Sequence, residues 1–191
     1  MIKSDSETRR TKMTKRMIKD ALMELMETQP LASISITELC SLADVNRSTF
    51  YCYYTDLLQL LHEIENDIIE QLPASKPIDD RADLDKQLIE DFTQFFAYVR
   101  KYARDFSVLL QSGDAQFSDR LIETIMNRFK KNTIKAVDPL ISRWCYLYAL
   151  NGTFGLIRDW ISSDFPINDR EFAELVLQMS FRASNFPNKK N

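Results

Sequence analysis

Apolar residues recur at intervals of three and four along nearly the whole chain. Val and Ile nowhere alternate with polar residues over a strand length, so the pattern predicts an all-α fold of about nine helices. The first helix, about Glu7 to Thr28, gathers Met13, Met17, Ile18, Ala21, Leu22 and Leu25 on one stripe with cations opposite, and Pro30 ends it. Ser35-Ile36-Thr37-Glu38 is a capping-box pattern that opens a short second helix, stopping near Asp44. Asn46 is placed to cap a third short helix, Arg47 to Tyr53 or Tyr54. After Asp56, Leu57, Leu60, Leu61, Ile64 and Ile68 mark a fourth helix closed by Leu72-Pro73, and Pro73 to Asp83 is the clearest linker. Further helices are predicted over Leu84 to Tyr102, Phe106 to Gln111, Gln116 to Val137, Pro139 to Ser162 and Asp169 to Ser184.

The helix from Pro139 is apolar on more than one face, so neighbouring helices or a second subunit must bury it. Of the three glycines, Gly113, Gly152 and Gly155, no two form a phosphate-cradling loop, which removes GxGxxG and Walker-type nucleotide sites. One histidine, His62, and the scattered Cys40, Cys52 and Cys145 lack zinc-ligand spacing, so neither a metal nor a cofactor is expected. His62 falls on the polar side of the fourth helix beside Glu63 and Glu65. No nucleophile or acid/base constellation stands out, and no enzyme is expected. The cysteine spacing, an N-terminus without an apolar core and the absence of a membrane-length apolar run predict a cytoplasmic protein with free thiols and no membrane partner.

Charge is unevenly placed. Residues 1–19 hold Lys3, Arg9, Arg10, Lys12, Lys15, Arg16 and Lys19 against Asp5 and Glu7, a local charge of +5 that leaves −8 for the rest of a chain whose formal net charge is −3. Phosphate binding depends on such local density and not on the total. A solvated helix face would carry the same charges.

Residues 35–54 have the proportions of a helix-turn-helix, whose second helix presents its first turns to the major groove. That helix opens Asn46-Arg47-Ser48-Thr49. Arg47 can donate to a guanine edge or a phosphate, and Ser48 and Thr49 can bond either. Tyr51 and Tyr53 carry hydroxyls suited to phosphate oxygens, while Phe50 and Tyr54 would face a small core. Ser35, Thr37, Arg9, Arg10 and Lys12 complete the candidate DNA-binding set. An ordinary helical hairpin is the competing reading of these residues.

The run Ile36-Thr37-Glu38-Leu39-Cys40, with Ala43-Asp44-Val45-Asn46-Arg47-Ser48-Thr49-Phe50-Tyr51 and Tyr53-Tyr54, resembles the DNA-binding domain of TetR-type transcriptional regulators. Asn151-Gly152-Thr153-Phe154-Gly155, Trp160 and Phe165-Pro166 are similar to the C-terminal pattern of a TetR subgroup common in Firmicutes. The resemblance implies a helix-turn-helix DNA-binding domain over residues 1–55 and a dimerisation and effector domain over 56–191. Together they would form a homodimer, expected as a repressor, on a palindromic double-stranded operator. The chain departs from the family pattern at Asp44, where glycine is usual, at Leu57, where a phosphate-binding lysine is usual, and at Cys52, where a cation is frequent.

The same resemblance implies an effector cavity for a small-molecule or protein effector. Phe95, Tyr98, Tyr102, Phe106, Met126, Phe129, Trp144, Tyr148 and Phe154 are candidate lining residues, with plain core packing as the alternative. Gly152 and Gly155 permit close helix approach, and with Phe172, Leu175, Val176 and Met179 they suit a dimer interface; relief of crowding inside one subunit is the other possibility. A second functional class is a co-regulator that keeps this fold with weak or no autonomous DNA binding.

Overall fold

The computed structural model describes residues 8–74, 84–111, 115–129 and 139–184. Its helices are α1 (Arg9–Met26), α2 (Ile36–Leu42), α3 (Arg47–Tyr51), α4 (Leu57–Glu70), α5 (Leu84–Lys101), α6 (Ala103–Gln111), α7 (Ala115–Phe129), α8 (Pro139–Ser162) and α9 (Asp169–Ser184). A single 3-10 turn, Leu31–Ser33, precedes α2, and no strand occurs among the described residues. Of the expected linker only Pro73 and Ala74 are described, and the stretch of the seventh helix expected beyond Phe129 lies outside the described residues. Two compact units divide the chain, Met1–Glu70 and Gln71–Asn191.

In the first unit α1 packs on α2 and α4, and α2 packs on α3. Ile18, Leu22, Leu39, Phe50, Tyr54 and Leu60 are buried at its centre. The α1 stripe turns inward later than its pattern suggests: Met13 and Met17 are exposed, and Ala21, Met23 and Met26 join Ile18 and Leu22 in the core. Capping fixes the short helices. The Ser35 hydroxyl accepts from the Glu38 amide at 3.1 Å, but the Glu38 carboxylate turns away to accept from Gln29 Nε2 at 2.8 Å, so only half of the expected box forms. At α4 a wider version appears: Asp56 Oδ1 accepts from the Gln59 amide (2.8 Å) while Gln59 Oε1 reaches past the N-cap to accept from the Thr55 amide (2.6 Å).

Charge ties α1 to α4. Lys19 Nζ lies 2.7 Å from Glu63 Oε1 and 2.6 Å from Asp67 Oδ2, Lys15 lies 3.4 Å from Glu63, and the Tyr54 hydroxyl donates to Glu63. Burial opposes the charged forms of Lys19 and Glu63. The hydrogen bonds and charges outweigh it, holding Lys19 above and Glu63 below their ordinary values. Glu65, expected on a polar face, is fully buried.

In the second unit α9 packs on α5 and α8, while α6 contacts α5, α7 and α8. Phe96, Trp160 and Phe172 form its aromatic centre, with the Trp160 and Phe172 rings stacked at 4.3 Å and Phe96 edge-on to both. The turn from α8 into α9 is held on every side. Trp160 Nε1 and Arg100 Nη2 both donate to the Ile167 carbonyl, and Arg100 Nε donates to Asp169 at 2.7 Å. The Arg100 guanidinium also lies 5.0 Å from the Trp160 ring and 4.7 Å from that of Phe165. Asn168 then caps α9, accepting from the Glu171 amide while Glu171 accepts from its own. Arg100 is thus a packing residue of the α8–α9 corner.

Candidate nucleic-acid interface

Backbone geometry makes α2 and α3 a helix-turn-helix. At the end of α2 the Val45 amide donates to the Cys40 carbonyl (3.0 Å) and the Asp44 amide to that of Ser41 (3.4 Å), the two bonds of a Schellman turn. Such a turn needs one left-handed residue, and Asp44 supplies it at φ 51°, a conformation that Asp tolerates better than most residues. The chain then restarts at Asn46, which stands in the N-cap position of α3 without a capping bond from its side chain. That amide, expected to cap α3, is left exposed at the head of the helix.

Burial divides α3 into two faces. Phe50 and Tyr54 are buried with ring centroids 5.7 Å apart, which fixes the helix on the unit's core. Asn46, Arg47, Ser48 and Tyr51 are exposed, and Thr49 and Tyr53 are half-buried, so the polar and tyrosine side chains occupy the part of the segment that the core leaves uncovered. Cys52 is exposed beside it as a free thiol; Cys40 is buried, and burial pushes its thiol up against the pull of the Arg47 charge. Ser35 and Thr37 are exposed at the start of α2, the former with its hydroxyl occupied as the cap.

Arg9, Arg10 and Lys12 are exposed in the first turn of α1, which carries no acidic residue. Cations at the positive end of a helix dipole repel it slightly, and the combination attracts anions. Lys15 and Lys19 do not add to this field, because Glu63 and Asp67 already neutralise them. Their pairing was invisible in the sequence, and the α1 cations available to a partner are correspondingly fewer. Leu57 is half-buried at the first turn of α4.

In the second unit the proposed effector residues separate. Tyr98, Tyr102 and Phe106 come together, with Tyr98 4.7 Å from Tyr102 and 6.0 Å from Phe106, and Phe117 continues the group from α7. Phe95 is half-buried next to Phe96, and Phe154 is buried. Trp144 and Tyr148 are instead exposed on α8, and the side chains of Met126 and Phe129 lie outside the described residues. Among the proposed interface residues Phe172 and Val176 are buried within the unit, while Leu175 and Met179 are exposed. A β-carbon added to Gly152 or Gly155 would meet nothing within 4 Å.

A helix-turn-helix built on a long leading helix and followed by an all-helical second unit defines the class of a helical DNA-binding regulator. Residues 86–182 match the family model of the TetR-type transcriptional regulator C-terminal region, and the chain belongs to the TetR family of transcriptional regulators. No curated protein sequence matches it. Among solved structures, a TetR transcriptional regulator from Streptococcus agalactiae superposes with a TM-score of 0.67 at 21% identity, over 90% of this chain and 96% of that one. NalD, the secondary repressor of the MexAB-OprM multidrug efflux pump in Pseudomonas aeruginosa, gives 0.61 at 22% identity, over 91% and 97%. The dihydroxyacetone kinase operon activator DhaS gives 0.52 at 17%, over 88% and 94%. These likenesses concern the fold. No helix among the described residues is long and apolar enough to cross a membrane.

Proposed function

We propose that the chain is a homodimeric repressor that places α3 in the major groove of a palindromic operator. The observation that carries this reading is the two-faced α3: Phe50 and Tyr54 anchor it, and Asn46, Arg47, Ser48, Thr49, Tyr51 and Tyr53 are left outward at the positions a recognition helix uses. Residues 1–55 then form the reading head, braced by α4, and the remainder dimerises and takes an effector. The open faces of Gly152 and Gly155, with exposed Leu175 and Met179, support a close pairing of helices from two copies, since a β-carbon at either glycine would meet nothing within 4 Å among the described residues. Phe172 and Val176 support that surface from beneath.

The test is a mobility shift with the purified dimer and DNA from beside its own gene, at low salt and then at rising salt. A sequence-specific shift, together with derepression of a promoter fusion when the gene is deleted, is expected. A folded dimer that shifts no DNA at low salt would sink the proposal.

One observation favours a second reading, a co-regulator with weak autonomous DNA binding. Lys15 and Lys19 are committed to Glu63 and Asp67, and Leu57 and Cys52 stand where the family pattern places cations. Capture of a stable protein partner without any DNA footprint would select this reading.

A further inference from the structure

Steps of four, four and three residues place Gln87, Asp91, Phe95 and Tyr98 on one narrow face of α5, and Tyr102 continues it just past the helix end, its amide donating to the Tyr98 carbonyl. Phe95, Tyr98 and Tyr102 are half-buried, so their rings are only partly used by the fold, and Phe106 closes the group from α6. On this aromatic face Asp91 keeps only 7% exposure. Its Oδ1 accepts from Gln87 Nε2 at 2.7 Å, and its Oδ2 has no hydrogen-bond partner among the described residues.

A desolvated carboxylate with one oxygen unmet is costly, and a fold that retains one does so at a place where something else completes it. The missing complement is a positive charge with a donor hydrogen or a diffuse cationic surface. Aromatic ring faces farther along the same helix face attract the same kind of charge and repel anions. A single carboxylate and a side-chain amide are too few ligands for a metal ion. We infer that this α5 face seats a lipophilic organic cation, an ammonium, amidinium or phosphonium, with Asp91 as its counter-ion and the Phe95 and Tyr98 rings as its walls. The inference rests on the effector reading above and names the ligand class.

The test uses the full-length protein without DNA and two probes of the same shape and opposite charge, tetraphenylphosphonium and tetraphenylborate, with the slimmer benzyltrimethylammonium as a third. Calorimetric titration is expected to show the cations binding and the borate not. Asp91→Asn, which keeps an oxygen for Gln87, should weaken tetraphenylphosphonium binding roughly tenfold or more and leave the unliganded melting temperature unchanged or higher. Equal binding of the two tetraphenyl ions, binding of neither cation, or full-strength cation binding by Asp91→Asn would each overturn the inference. So would a melting temperature that falls in Asp91→Asn, since that marks a carboxylate the fold itself needs. Because these measurements involve no operator, a chain that binds the cations but shifts no DNA would refute the regulator proposal and leave the cation site standing.

Discussion

The Phe165 amide donates to the Trp160 carbonyl at 2.9 Å while the Phe165 ring stands edge-on to the Trp160 indole at 4.8 Å. With the Asp164 amide donating to Ile161, this is a second Schellman turn, and the ring contact is the apolar clasp that accompanies such turns. Unlike the turn at Asp44, it holds two successive left-handed residues, Asp164 at φ 55° and Phe165 at φ 56°. Phe165→Gly and Phe165→Ala both lose the ring, but only glycine relieves the backbone. The glycine variant is expected to unfold at a free energy about 1 kcal/mol higher than the alanine variant. Equal denaturant midpoints would show that no left-handed backbone cost remains at position 165 once the ring is gone.

Asp44→Gly is expected to stabilise the first unit by about 0.5–1 kcal/mol, because glycine adopts the left-handed C-cap conformation without the side-chain penalty. It also removes an exposed carboxylate from the head of the proposed reading helix. Thermal unfolding and fluorescence anisotropy with operator DNA should therefore improve together.

The α1–α4 brace has a two-sided pH signature. Glu63 is held below its ordinary 4.5, so its contribution is present above that value and is lost as pH falls through the lower, folded one. Lys19 is held above its ordinary 10.5, so its contribution is complete below that value and is lost as pH rises through the higher, folded one. Stability from this source is flat between the two limbs. Lys19→Met should cost about 1 kcal/mol at neutral pH, discounted for partial exposure, and it should flatten the alkaline limb measured by urea unfolding. A variant whose pH profile matches the parent would remove Lys19 from the brace.

On a cognate operator Arg47→Ala should cost about 1–3 kcal/mol if the side chain reads a base, and it should relax preference at one position of each half-site. Leu57→Lys should strengthen binding to any sequence and steepen the salt dependence by roughly one unit per head if the new amine meets a phosphate. Anisotropy titrations at several salt concentrations separate the two effects. An Arg47→Ala protein with unchanged affinity and preference would take Arg47 out of the reading set.

Gly152→Leu and Gly155→Leu test the helix pairing. Each added side chain enters open space within the subunit, so folding should be retained, and helix propensity improves by up to about 1 kcal/mol per site. A pairing that brings these faces close leaves no room for leucine. Light scattering after size exclusion is expected to report a weakened or dissociated dimer, and an intact dimer in both variants would move the interface elsewhere.

What the residue pattern revealed was local. The start of α2 at Ile36, the anchors Phe50 and Tyr54 and the limits of α8 and α9 all follow from spacing and capping chemistry within a few residues. Relations over long separations were not legible. Nothing near Lys15 or Lys19 in the chain announces Glu63 and Asp67 as partners, and a polar letter at 91 gives no sign that the carboxylate is buried. The direction of α8 was hidden for a different reason: a helix apolar all round has no phase to read, so Trp144 and Tyr148 could not be told from the buried Phe154 and Trp160. On α9 the inward Phe172 and Val176 and the outward Leu175 and Met179 are neighbours in sequence, and only packing separates them.

The commitment of Lys15 and Lys19 to α4 bears on how such a protein would search a genome. Sequence-independent retention on DNA grows with the number of cations that can release counter-ions from phosphates. On the proposed function, a head that spends two of its lysines internally would linger less on irrelevant sequence and release it sooner. Occupancy of the operator would then depend on how well the outward residues of α3 fit its bases, and a small number of protein copies would remain free to find it.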